Sequence, residues 1–196
     1  EDPEEKQEYV AIIEKNNDLL LQLIGDILDL SKIEAGTLEL VYNNFDLNDL
    51  MRNEESTMRL KMTNPQVELI LDEPESPNCH IYSEKNRLTQ LLTNFISNAI
   101  KFTERGSIRF GYRKDTVRED FLYFYVTDTG IGIPAEQQPA IFDRFVKLHD
   151  FAQGTGLGLS ICQVIIEQMG GEIGVESEEG SGSTFWFKIP YVPCQA

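Results

Sequence analysis

The hydrophobic positions near the start of the chain recur with a helical period. Tyr9, Ile13, Asn16, Leu20, Leu23, Ile27 and Leu30 follow at alternating steps of four and three, the a/d seam of a helical bundle. Ile12, Leu19, Ile24 and Leu28 widen that stripe toward a four-helix bundle. One such helix has nothing of its own to bury the stripe against, so the pattern predicts partner helices from other sequence, from a second copy, or both. Packing on the core of its own domain is the plainer alternative. Gly36 ends the helix, and the period then changes. Leu38, Leu40 and Tyr42 alternate as a strand does, and Asp46 or Asn48 can cap a helix running to about Met62. Val67 to Leu71 reads as a strand, residues 72–78 as a loop holding Pro74 and Pro77, and His80 to Tyr82 as a short strand. A strong helix follows from about Glu84 to Phe102. Ser107 to Lys114 and Phe121 to Asp128 alternate as neighbouring strands. After a Gly- and Pro-bearing loop and a lid-like stretch comes a helix from about Gly158 to Met169. Ile173 to Ser177 and Thr184 to Ile189 close as a hairpin across residues 178–182. Helices and antiparallel strands in this arrangement predict an α+β two-layer sandwich over residues 37–196, preceded by the long helix of residues 1–36.

Composition narrows the partners. Among 196 residues acids outnumber bases 33 to 17, for a net charge of -16. Such a surface repels phosphate backbones and anionic lipid, which argues against nucleic-acid or membrane-surface binding. No apolar run approaches the ~20 residues that cross a bilayer, and no secretory pattern opens the chain. The first residue is Glu1 rather than Met, which suggests a piece of a longer protein. Cys79, Cys162 and Cys194 are odd in number and widely spaced, with no CxxC and no Cys/His cluster. That argues against a disulfide framework or zinc site and suits a reducing, cytoplasmic setting.

Three stretches carry candidate chemistry. On the helix from Glu84 to Phe102, Leu88, Leu91, Leu92, Phe95, Ile96 and Ala99 form the buried side, while Arg87, Asn94, Asn98 and Lys101 align along one stripe. Asn is a weak helix former, so two on one face are unusual. An amide oxygen can ligate Mg²⁺ and a nearby Lys can meet a phosphate; an ordinary polar face is the alternative. Directly after the apolar strand Phe121 to Val126 comes Asp128-Thr129-Gly130-Ile131-Gly132-Ile133-Pro134. Its glycines allow close approach of a ligand, and Asp128, partly buried at the strand's end, can accept a hydrogen bond from an exocyclic amine. Gly154-Thr155-Gly156-Leu157-Gly158-Leu159-Ser160 leads into a helix, where free N–H groups and the helix dipole make a phosphate cradle. It is neither the dinucleotide fingerprint nor a Walker A loop.

In this order the stretches resemble the boxes of sensor histidine kinases. Residues 94–103 look like the N box, residues 128–134 the G1 box, Phe142-Asp143-Arg144-Phe145 the F box, and residues 154–160 the G2 box. The resemblance covers about Leu38 to Pro190, the whole catalytic ATP-binding domain. The first helix, ending in Asp29-Leu30-Ser31-Lys32-Ile33-Glu34-Ala35-Gly36, resembles the second helix of the family's dimerisation and phosphotransfer domain.

The resemblance implies a role for each residue. Asn98 is expected to hold Mg²⁺, with Asn94 near the phosphates or the metal's waters; Lys101 meets a phosphate and Phe102 packs near the adenine. Asp128 reads the adenine amine, with Gly130, Gly132 and Ile133 shaping that wall and Thr184 assisting through hydroxyl and water. Gly154, Gly156, Leu157 and Gly158 wrap the triphosphate. Phe142 and Phe145 anchor the lid, and Arg144 neutralises charge together with Lys101, Arg105 and Lys147. The family's ATP-hydrolysing relatives carry Glu where Asn94 stands; an amide cannot serve as general base for water, which favours transfer to a histidine over hydrolysis.

Also implied are ATP and Mg²⁺ as cofactors, a homodimer through the first helix, and a response regulator receiver domain as partner. Membrane contact comes only through other parts of the parent protein. Of the two histidines, His80 sits in a short strand and His149 precedes the Gly loop, so neither matches the family's acceptor. The chain is therefore expected to begin after the acceptor helix and to bind ATP without labelling itself. Two other readings are a non-catalytic nucleotide-binding module and an aspartic protease built on Asp128-Thr129-Gly130; the latter motif occurs once, and the other boxes have no place in it.

Overall fold

The computed structural model describes residues 3–146 and 155–194. Its elements run α1 (Pro3–Glu34), β1 (Asn43–Asp46), α2 (Leu47–Lys61), β2 (Val67–Leu71), β3 (His80–Ser83), α3 (Lys85–Phe102), β4 (Gly106–Lys114), β5 (Phe121–Asp128), α4 (Gly158–Gln168), β6 (Glu172–Glu178) and β7 (Gly182–Pro190). A 3-10 turn at Gln138–Ala140 lies between β5 and α4.

Strands β2-β4-β5-β7-β6 form one five-stranded sheet, and β1 pairs with β3 in a separate two-stranded ribbon. The side chains alternate across the large sheet. Ile108 and Phe110 of β4, Leu122, Phe124 and Val126 of β5, and Phe185, Phe187 and Ile189 of β7 are buried beneath the helices. They meet Leu88, Leu91, Leu92, Phe95 and Ile96 of α3 and Ile161, Ile165 and Ile166 of α4 in a single core. Phe95 joins the layers, its ring centroid 5.4 Å from Phe185 and 5.9 Å from Phe187.

Two strand expectations change. The sheet is mixed, because β2 pairs with β4 in parallel, Val67 opposite Gly106; the intervening β3 and α3 supply the crossover that a parallel pair needs. The alternating Leu38, Leu40 and Tyr42 form no strand. Leu38 and Leu40 pack against the core, and the strand begins at Asn43, where the ladder with Ser83 starts. Alternation reports which side chains are buried, whereas a strand also needs a paired backbone. Trp186, in the β6–β7 hairpin, lies on the open sheet face, its ring stacked on Tyr123 at 5.9 Å.

Helix α1, 32 residues long, spans about 48 Å. Gly36 N donates to Ile33 O at 3.0 Å and Thr37 N to Lys32 O at 2.8 Å, closing its end. Along the seam Tyr9, Ile13, Leu20, Leu23 and Ile27 stand exposed, whereas Leu30 and Ile33 pack against the core. The helix rests on the sandwich by its last turns and leaves a bare apolar stripe ahead of them. No helix among the described residues is long and apolar enough to cross a membrane.

Candidate functional site

Helix α3 is set by its N-cap, Glu84, whose carboxylate accepts from Arg87 N, and by the apolar face pressed on the sheet. Its polar stripe divides. Asn98 Nδ2 donates to Asn94 Oδ1 at 3.2 Å, and Lys101 Nζ lies 4.9 Å from the centroid of the Phe102 ring. Arg87 does not join them: its Nη1 reaches both carboxylate oxygens of Asp29 on α1 at 3.1 and 3.0 Å.

Strand β5 ends in Asp128, on the same pleat face as Phe124 and Val126 and therefore buried under the helices. Gly130 N donates to its Oδ1 at 2.8 Å. Burial pushes the Asp128 carboxyl above the usual carboxylate range, against the lowering effect of N–H bonds from Gly130 and Ser183. The chain then folds back beside α3, Ile131 N donating to Phe102 O at 3.2 Å. Gly132 turns at φ +69, where a Cβ would stand 2.0 Å from Glu178 O. Buried Ile133 follows, its N–H on Ser177 Oγ at 2.8 Å.

The Gly loop closes the third side. Gly156 O accepts from Phe145 N at 2.8 Å, Leu157 is buried, and α4 begins at Gly158. A Cβ on Gly158 would lie 2.2 Å from Asn94 Nδ2, so the N-terminus of α4 abuts the amide pair of α3. The helical ladder of α4 starts with Ile161 N on Leu157 O at 2.9 Å; the N–H groups of Gly158, Leu159 and Ser160 therefore have no ladder partner. The structure thus sets the amide pair of α3 against the N-terminus of α4, and the loop that follows the buried Asp128 carboxylate against the end of α3.

The model of the family described as histidine kinase-, DNA gyrase B-, and HSP90-like ATPase matches residues 83–193, which hold all of these groups. This chain belongs to that family. A second family model, the His Kinase A (phospho-acceptor) domain, matches residues 1–36. The sensor protein GacS of Pseudomonas syringae pv. syringae is 40% identical over 188 residues, which are 93% of this chain and 21% of GacS. The autoinducer 2 sensor kinase/phosphatase LuxQ of Vibrio harveyi is 34% identical over 96% of this chain and 23% of its own length. The chain spans about a fifth to a quarter of these curated relatives. Full-length ShkA, solved with AMPPNP, superposes with a TM-score of 0.83 at 32% identity, covering 98% of this chain and 40% of ShkA. The nucleotide-free catalytic domain of the histidine kinase ThkA gives 0.67 at 32% identity, over 77% of this chain and 96% of that domain. ThkA solved with the response regulator TrrA gives 0.73 at 28% identity, over 98% of this chain and 53% of ThkA.

Within this ATPase fold several expected residues stand apart from the cradle. Thr184 pairs with Thr127, its Oγ1 3.0 Å from the Thr127 Oγ1, and so lies on the open sheet face, opposite Asp128. The residue level with Asp128 is Ser183, buried, its Oγ 2.9 Å from Ser177 Oγ. Sequence alternation carried the signal, since Ser183 shares its parity with Phe185, Phe187 and Ile189. Arg144 is paired with Glu34 of α1 at 2.6 Å, whereas Arg105 Nε donates to the neutral Gln66 Oε1 at 3.1 Å and keeps its charge. Phe142 packs against the core, whereas Phe145 is 68% exposed and adopts a left-handed φ of +64. Gly154, Lys147 and His149 lie outside the described residues.

Proposed function

We propose that residues 37–196 bind ATP with Mg²⁺ and that, in the intact protein, the γ-phosphate passes to a histidine and then to an aspartate of a response regulator receiver domain. The observation that carries the reading is the Asp128 carboxylate, buried at the end of β5 and oriented by Gly130 N–H, a rigid acceptor for an exocyclic adenine amine. Phe102, whose carbonyl anchors the adjoining loop, is the apolar neighbour for the base. The amide pair faces the N-terminus of α4, where unladdered N–H groups and the helix dipole favour phosphate.

The donor set suits a hard cation. In the Asn94–Asn98 bond the Asn98 nitrogen is the donor, which leaves its carbonyl oxygen as the candidate ligand for Mg²⁺. No cluster of His, Cys, Asp and Glu among the described residues forms a metal cage, and Asn98 is the residue that would hold the ion. The ion supplies charge neutralisation at the phosphates. Asn94 orients the transferring end and, being an amide, takes no proton from water, which favours transfer over hydrolysis. Lys101 adds positive charge one turn after Asn98. The bare stripe on α1 is the surface for a homodimeric bundle. That ShkA was solved with AMPPNP and ThkA with a response regulator supports ATP and a receiver domain as ligand and partner.

Calorimetric titration with ATP, with and without Mg²⁺, tests this on wild type, Asn98→Ala and Asp128→Ala. Wild type binds with Mg²⁺, Asn98→Ala loses the Mg²⁺ dependence, and Asp128→Ala loses binding. Absence of adenine-nucleotide affinity in folded wild type, or affinity untouched in Asp128→Ala, overturns the reading. Phosphate appearing on a separately supplied acceptor helix distinguishes a kinase from a non-catalytic nucleotide module.

A further inference from the structure

We propose that Asp26, on α1 and outside the ATPase fold, is a positioning residue for the phosphate loop, setting the backbone at Gly156–Gly158 through Thr155. The inference rests on the proposed function, since it concerns the same loop. Asp26 is 9% exposed and accepts from Thr155 Oγ1 at 2.7 Å. The same hydroxyl oxygen accepts from Leu157 N at 3.1 Å. A hydroxyl has a single proton; donated to the carboxylate, it polarises the oxygen as an acceptor, so the two bonds form one directed chain from loop to α1. Leu157 immediately precedes Gly158, the residue pressed against Asn94.

The loop is thereby pinned at two points. Phe145 N on Gly156 O ties it to the sandwich, and the Thr155–Asp26 bond ties it to α1. Helix α1 is itself seated by Asp29, which takes Arg87 and Gln90, and by Glu34, which takes Arg144. Burial pushes the Asp26 carboxyl above its usual range and Thr155 opposes that shift, as for a carboxylate held in place by its bond. A segment already held by these bonds loses less freedom when nucleotide arrives, so the seating of α1 tunes nucleotide affinity.

Asp26→Ala, Asp26→Asn, Thr155→Val and the Asp26→Ala/Thr155→Val double variant of the whole chain test this. The measurements are Mg·ATP affinity and, without nucleotide, amide hydrogen exchange at residues 155–158. Asp26→Ala and Thr155→Val should each weaken affinity about tenfold and speed exchange at Leu157. The double variant should be no weaker than either single one. Asp26→Asn, which keeps an acceptor oxygen, should retain most of the affinity. Unchanged exchange and affinity in Asp26→Ala, no rescue by Asp26→Asn, or multiplying losses in the double variant overturns the proposal. Wild type without ATP affinity would instead defeat the proposed function, and the exchange measurements would still decide the role of Asp26.

Discussion

Gly158 stands so close to Asn94 that a methyl group on its Cα would lie 2.2 Å from the Asn94 amide nitrogen. Elements far apart in the chain therefore share one small volume, with the first residue of α4 forming a wall of the amide site. Gly158→Ala should push the Asn94 side chain away from Asn98. The better helix propensity of Ala offsets part of the crowding, so stability should change by no more than about 1 kcal/mol. Thermal melts of the variant should resemble wild type while Mg·ATP affinity falls sharply; intact affinity would show that Asn94 is not needed where it stands.

Asp128 is buried and its carboxyl raised, so the ionised form is the costly one. The stability it contributes is complete below the ordinary carboxyl value and is lost as pH rises through its raised value. Asp128→Asn removes that ionisation. At pH 7 the variant should melt no lower than wild type, and its nucleotide affinity should drop sharply: the Gly130 N–H draws the one remaining acceptor oxygen to itself, which leaves the amide nitrogen, a donor, facing the adenine amine. A variant that melts far lower contradicts the first expectation; one that binds normally contradicts the second.

Strand parity separates two adjacent hydroxyls. Ser183 lies level with Asp128 on the covered face, and Thr184 lies on the open face against Thr127. Ser183→Ala should weaken nucleotide binding about fivefold, while Thr184→Ala should leave it within about twofold. The reverse ranking would place the adenine on the other side of the sheet.

Asp115 anchors the far end of the sheet. Lys188 Nζ lies 2.5 Å from its Oδ2, and Val117 N and Arg118 N donate to Oδ1 at 2.7 and 3.1 Å. The Lys188 bond first, then the two N–H groups, hold its carboxyl down at about 2. A lowered acid contributes stability that is present above its unfolded value of ~3.9 and is lost as pH falls toward the folded one. Urea midpoints should decline between pH ~5 and ~2, and Asp115→Asn should flatten part of that decline. An unchanged slope in the variant would remove Asp115 from the acid response.

Much of this was legible along the chain because burial imposes its period. Helices α3 and α4 and strands β4 and β5 fall within a residue or two of the hydrophobic pattern, and Asp128 was recognisable as a polar residue ending an apolar strand. Ladder partners were not, so Leu38 to Tyr42 looked like a strand and the parallel register of β2 was hidden. Long-range pairs were equally invisible: Arg144 finds Glu34 across 110 positions, and Arg87 finds Asp29 across 58. In a stripe on a single helix, nothing marks which cation another element will capture. Thr184 is a different case, since counting alternate residues back from Ile189 reaches Ser183.

The location of Trp186 has a practical corollary. It is the only tryptophan in the chain, and its indole lies flat beside Tyr123 beneath Lys188, on the side of the sheet away from Asp128. Intrinsic fluorescence is therefore a clean optical gauge of whether the strands remain assembled, and it should stay silent during ligand titration. Following occupancy by light requires a chromophore on the nucleotide itself.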